Sequence, residues 1–186
     1  MRTVAAAVLF GVAVLLGACR GPLVVETTSA HRPPGDGDEP EREWTVAVYM
    51  SGDNELEAEA LADLNEMEAA DLDGAPISVV VLLDRAEGFS SAAGDWSGTR
   101  LYEVEPDPLG DASPIVSRRV SSTQLGIDAA VEVELNTGDP RTLTRFLTFV
   151  AAEYPARNTG LIIWGPGGGY RAVSVDDGSG GDPLAT

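Results

Sequence analysis

The sequence predicts an α/β domain, a mostly parallel sheet with helices packed on its faces. Three short runs rich in β-branched and aliphatic residues, 44–50, 77–84 and 159–164, are each bounded by turn residues. Between them lie two longer segments, about residues 55–70 and 139–154, in which apolar residues recur at helical spacing. Strands that alternate with helices on this scale build parallel crossovers.

Taken in order, Trp44, Val46, Val48 and Tyr49 give the first strand, which enters a turn at Ser51, Gly52, Asp53 and Asn54. Asp53 or Asn54 is placed to cap the next helix, where Leu56, Ala60, Leu64 and Met67 form one stripe. Glu55, Glu59, Asp63 and Glu66 fill its other side. Gly74 and Pro76 end that element, and residues 77–84 follow as a near-continuous apolar run, the pattern of a strand buried on both faces. Residues 86–122 are rich in Gly and Pro, with a short strand of a side hairpin expected over 99–105. Asp139 followed by Pro140 is a strong helix start. Behind it Leu143, Phe146, Leu147, Val150, Ala151 and Tyr154 share one face until Pro155 stops the helix. The third strand, 159–164, runs into a glycine-rich loop.

Charge excludes one class of function. There are 30 Asp+Glu against 12 Lys+Arg, a formal net charge of -18, and every one of those cations is arginine. Nucleic-acid binding runs on clustered cations that neutralise phosphates, so it is not expected. An acidic surface suits solubility, cation binding or the attraction of basic peptides and proteins.

The N-terminus reads as an address. Arg2 precedes an unbroken run of apolar and small residues, 4–16, followed by Gly17, Ala18 and Cys19. A short positive start, an apolar stretch of this length and small residues before a cut site make a secretory signal over residues 1–18. Leu16, Gly17, Ala18 and Cys19 resemble a bacterial lipobox, which implies cleavage before Cys19 and lipid on its sulfur. The expected product is exported and held by acyl chains on a membrane, at the cell surface or on the periplasmic face. Residues 19–43 shift to Pro, Gly, Thr and acids and read as a disordered tether that contains the sole histidine, His31. The folded domain is then residues 44–186.

Several pieces of that domain carry a resemblance when taken together. They are the 44–50 strand with Asp53, Asn54, Glu55 and Leu56; residues 79–84; Gly138, Asp139, Pro140, Arg141, Thr142 and Leu143 with Phe146; Tyr154, Pro155 and Ala156; and residues 161–169 with their triple glycine. The set resembles the clostripain family of cysteine peptidases, which share a caspase-like α/β fold. It covers most of residues 44–186 and implies the N-terminal part of such a domain, from a family that cleaves peptides after a basic residue through an acyl-thiolate.

The resemblance also implies where chemistry belongs, and the chain departs from it there. A histidine is expected directly before the glycines, where this sequence has Pro166. The nucleophilic cysteine is expected in an Asp-Ala-Cys motif after the next core strand, beyond Thr186. A thiol needs a neighbouring imidazole to make and hold the thiolate. The expectation is a domain incomplete at its C-terminus and inactive as written, being a piece of a longer product, a degenerate copy or a broken gene. Gly165, Gly167, Gly168 and Gly169, with Asp53 and Asn54, are then the positions a peptide substrate would approach. The strand ending at Trp164 is expected to show an unpaired apolar edge. The alternative function is a non-enzymatic surface lipoprotein that holds basic peptides or proteins.

Two further motifs bear on small ligands. Gly165 to Gly169 lacks the Lys-Ser/Thr ending of a phosphate loop. Asp176, Asp177 and Asp182 offer hard oxygen donors at short spacing that calcium accepts, without the EF-hand pattern, and the same run also reads as a solvated acidic turn. Calcium is the one cofactor the sequence suggests.

Overall fold

The structure is a computed structural model that describes residues 23–25, 42–70, 72, 74–107, 109, 114–167, 172–176 and 178–185. The signal segment 1–18, Cys19, His31, Gly168, Gly169 and Asp177 lie outside the described residues.

The described chain builds a six-stranded sheet and a two-stranded one. In chain order the elements are β1 (Leu23–Val25), β2 (Arg42–Gly52), α1 (Glu57–Glu68), β3 (Ile77–Arg85), β4 (Gly98–Glu103), β5 (Arg118–Arg119), α2 (Pro140–Glu153), β6 (Ala156–Trp164), β7 (Ala172–Asp176) and β8 (Asp182–Ala185). The large sheet has the order β1-β6-β2-β3-β4-β5, and β7 pairs with β8. Its three long central strands, β6, β2 and β3, are parallel, as expected of strands linked through α1 and α2. β1, β4 and β5 join antiparallel, so the sheet is mixed at its edges.

Alternation along β2 and β3 sorts the core into two layers. Ala47, Tyr49, Val80 and Leu82 pack with Phe146, Phe149, Val150 and Tyr154 of the α2 side. Val48, Met50, Val81 and Leu83 pack with Ala60, Leu61 and Leu64 of α1. One helix therefore covers each face, which is why the central strands read as continuous apolar runs. On α2, Phe149 is buried where the helical stripe had favoured Ala151, which is exposed. Asp139 caps α2 as expected, its Oδ1 accepting from the Arg141 N–H at 2.8 Å.

Four features depart from the sequence reading. The expected side hairpin is a strand of the main sheet: β4 pairs with β3 from Gly98 opposite Arg85 to Glu103 opposite Val80. The outer edge of β6 is not bare, because Leu23, Val24 and Val25 pair with Ile163, Ile162 and Leu161. Three consecutive aliphatic residues inside an otherwise polar segment supply this strand, and the segment read as a tether thus contributes to the sheet. Neither Asp53 nor Asn54 caps α1, whose N-cap is Leu56 without a side-chain cap bond; Asn54 shapes the turn before it. Asn54 Oδ1 accepts from the Leu56 N–H at 2.9 Å, while its Nδ2 donates to the Ser51 carbonyl at 2.7 Å. The strands β7 and β8 that flank the turn at 178–181 were not expected, whereas the turn itself was one of the sequence readings.

Candidate functional site

The parallel strands end together. Met50 lies level with Leu83 and with Trp164, so β2, β3 and β6 deliver their following residues to one edge of the sheet. Ligands of open α/β sheets bind outside the carboxyl ends of the strands. Here that edge collects acids. Carboxylate oxygens of Asp53, just beyond β2, Asp84, near the end of β3, Glu134, in the loop before α2, and Asp176, at the end of β7, lie within 4.8 Å of one another.

Their positions are set by neutral donors. Thr99 donates its hydroxyl to Asp84 Oδ1 at 2.7 Å, and Thr137 donates to Asp84 Oδ2 at 3.1 Å. The Thr137 N–H donates to Asp176 Oδ2 at 2.7 Å, and the Ser179 N–H to Asp176 Oδ1 at 2.7 Å. The Gly178 N–H donates to Asp53 Oδ2 at 2.6 Å. A Cβ at position 178 would lie 2.2 Å from that same oxygen, so only glycine lets the hairpin turn approach Asp53 this closely. Tyr49 steadies the opposite side by donating its hydroxyl to the Thr137 carbonyl at 2.9 Å.

Electrostatics follow from crowding in a dry place. Burial pushes Asp84 well above the usual carboxylate range; Glu134, Asp176 and Asp53 add to this, and the Thr99 hydrogen bond opposes it. Glu134 is pushed up to about 7, by partial burial first and then by Asp53 and Asp176. Burial likewise raises the Tyr49 phenol, helped by Asp84, Asp176 and Asp139. The main charges acting on Asp84 and Glu134 are other carboxylates. Such a group of hard oxygen donors fits a calcium-like cation and does not suit a soft metal.

The glycine loop sits beside this cluster. Gly165 has φ of +151°, and a Cβ there would come 3.2 Å from the Ser51 carbonyl oxygen. Pro166 accepts from the Ser174 N–H at 3.0 Å, and Gly167 bridges to Val173, so the loop folds back along the β7–β8 hairpin. The Ser51 and Ser174 hydroxyls hydrogen-bond to each other, which ties that hairpin to the end of β2.

Of the positions the sequence singled out, Asp53, Asn54, Gly165, Pro166, Gly167 and Asp176 are at this edge. Asp176 joins Asp53, Asp84 and Glu134, while Asp182 starts β8 opposite Asp176 and Asp177 lies outside the described residues. Asp84 and Glu134 were missed. Asp84 left a signal, an acid closing a run of buried aliphatics; Glu134 left none, because its place depends on how residues 128–139 fold over the sheet. Between residues 42 and 186 there is neither histidine nor cysteine, so the described residues at this edge include no thiol or imidazole.

A central parallel sheet covered by one helix on each face, with its site at the strand ends, defines the α/β class to which caspase-like peptidases belong. The profile of the clostripain family matches residues 48–186. The chain belongs to the clostripain family. It is 30% identical over 135 residues to clostripain from Hathewaya histolytica, a match that takes in 70% of this chain and 24% of that protein. The chain thus spans about a quarter of that relative's length. Among solved structures, a B. fragilis cysteine protease superposes with a TM-score of 0.50 at 23% identity, over 69% of this chain and 92% of that one. An inactive zymogen C11 protease from Parabacteroides distasonis gives a TM-score of 0.47 at 20% identity, over 74% of this chain and 34% of that one.

Proposed function

We propose that residues 1–186 form an exported, lipid-anchored clostripain homologue that does not hydrolyse peptides by itself. One observation carries this reading: the strand-end position to which the resemblance assigns an imidazole is Pro166, and residues 42–186 contain no other imidazole or thiol. A pyrrolidine ring neither accepts nor donates a proton at neutral pH, so position 166 cannot supply the imidazole that thiol catalysis uses, and residues 42–186 hold no thiol for it to activate. The test is hydrolysis of a fluorogenic arginyl peptide by the purified chain. No release above buffer is expected, and release abolished by a thiol reagent would overturn the reading. Anchoring is tested by detergent phase partition. The wild type should enter the detergent phase, and Cys19→Ser should stay in the aqueous one.

A second reading is favoured by the four clustered carboxylates. The edge would bind a basic side chain of a polypeptide, or calcium, through Asp53, Asp84, Glu134 and Asp176. Calcium bound there would neutralise the cluster and tie the β7–β8 hairpin to β2 and β3. An arginine-containing peptide whose affinity is unchanged in Asp84→Asn would count against it.

A further inference from the structure

The register of β1 has a consequence for how an anchored chain must sit. β1 runs antiparallel to β6, with Leu23 opposite Ile163 and Val25 opposite Leu161. Ile163 is the penultimate residue of β6, whose carboxyl end lies level with Met50 and Leu83. The chain therefore enters the sheet at the edge that carries Asp53, Asp84, Glu134 and Asp176, and runs away from it.

Cys19 precedes Leu23 by four residues, and four residues of chain reach at most about 14 Å. The opposite edge of the sheet, where β2 pairs with Ala156 and Asn158, lies seven residues along β6 from Ile163 at its far end, a distance of roughly 23 Å. A lipid on Cys19 can bring the strand-end edge to a bilayer, but the anchor is too short for the domain to turn over and present the other edge. The apolar segment 4–16 and the small residues before Cys19 are what point to a lipid at this position.

We propose that the anchored chain holds its carboxylate-bearing edge toward the lipid headgroup surface. This rests on the anchoring stated above and adds an orientation to it. At physiological ionic strength charges are screened over about 8 Å, less than the reach of the anchor, so repulsion between anionic headgroups and this acidic protein does not compel it to invert. The gap admits an extended polypeptide. A ligand of this edge then enters from the space between protein and bilayer, and a segment lying on the membrane reaches the site more readily than one in bulk solution.

The test uses paramagnetic relaxation. The full chain, produced with its own N-terminal segment, is placed in phosphatidylcholine nanodiscs containing a gadolinium-chelate lipid, and the mass of the product reports whether Cys19 carries lipid. In a parallel arm the sole cysteine of unlipidated chain is coupled to a maleimide lipid. Amides of Gly94, Gly178 and Ser179, at the strand-end edge, are expected to relax at least about tenfold faster than those of Trp44, Ile77 and Asn158, given the inverse-sixth-power dependence on these distances. Equal or reversed enhancement in the coupled chain overturns the orientation. A product without lipid, beside a coupled chain that shows the gradient, overturns the anchoring and leaves the orientation standing. Val24→Pro, which disrupts the β1–β6 ladder, should flatten the gradient while the chain stays on the disc. A gradient that persists in this variant means that β1 does not set the orientation.

Discussion

Replacing Arg85 with methionine removes a charge that is itself buried and paired with a buried carboxylate. The Arg85 and Glu57 side chains are both fully enclosed. The Arg85 Nε donates to Glu57 Oε1 at 2.6 Å, Nη1 to the Gly94 carbonyl at 3.0 Å and Nη2 to the Ser90 carbonyl at 2.8 Å. The guanidinium carbon lies 4.4 Å from the Trp96 ring centroid, and Arg100 approaches the same ring at 3.7 Å. Arg85→Met keeps the volume and the apolar stem but leaves the Glu57 carboxylate buried without a cation. Removing one partner of a buried pair costs about 3–5 kcal/mol. Replacing both with apolar residues is often neutral or better, so Glu57→Met with Arg85→Met should lose no more than about 2 kcal/mol, chiefly from the two loop carbonyls that lose donors. Urea unfolding followed by circular dichroism gives both values, provided the slope is unchanged. A single variant within about 1 kcal/mol of wild type, or a double variant whose loss equals the sum of the singles, would refute an energetic coupling across this pair.

Other outcomes follow from the site and the caps. Asp84 and Glu134 hold protons more tightly folded than unfolded, so stability should fall as pH rises from the ordinary carboxylate range, about 4.3, toward the value near 7 reached by Glu134. In chelator the melting temperature should therefore be a few degrees higher at pH 5.5 than at pH 8. Glu134→Gln should narrow that difference, and a difference unchanged in this variant contradicts the assignment. At pH 8, millimolar calcium should raise the melting temperature of the wild type and leave Asp84→Asn unmoved. Asp139→Ala should cost about 1 kcal/mol in urea unfolding and Asp139→Asn much less, since asparagine keeps the cap acceptor. Gly178→Ala should weaken any calcium response, because its Cβ displaces the Asp53 carboxylate.

The frame of the domain was legible because it is made of local patterns. Val48 and Val81 face one layer while Tyr49 and Leu82 face the other, and because both layers are dry the strands read as continuous apolar runs. Asp139 with Pro140 marks a helix start whatever surrounds it. The site was legible only where it touches those patterns, at Asp53, Asp176 and the glycine loop. Glu134 reaches the cluster through a loop whose path is fixed by long-range bonds, among them Thr99 Oγ1 accepting from the Leu135 N–H at 2.9 Å. β1 escaped for a related reason. Three aliphatic residues carry no periodicity, and what makes them a strand is the open edge of β6, more than 130 positions away.

The contrast between Asp84 and Arg85 shows what kind of place the strand ends are. The two residues are consecutive, yet alternation along β3 sends them to opposite faces. Arg85 turns toward α1 and meets Glu57, forming a charge pair closed within the protein. Asp84 turns toward Thr99 and Thr137, where the main charges acting on it, Glu134, Asp176 and Asp53, are negative. A cation one residue away is thus unavailable to neutralise it, and the pair cannot exchange roles without a register slip that would turn every side chain of β3 over. Folding alone gains nothing from this arrangement. An asparagine at position 84 would still accept from one threonine and carry no charge, so the repulsive cluster works against stability. Conflicts of this sort, maintained inside an otherwise consistent fold, are expected at functional sites. That conflict is what the proposed binding of calcium or a basic side chain at the strand-end edge would relieve, a role distinct from the thiol chemistry for which the resemblance places an imidazole at position 166.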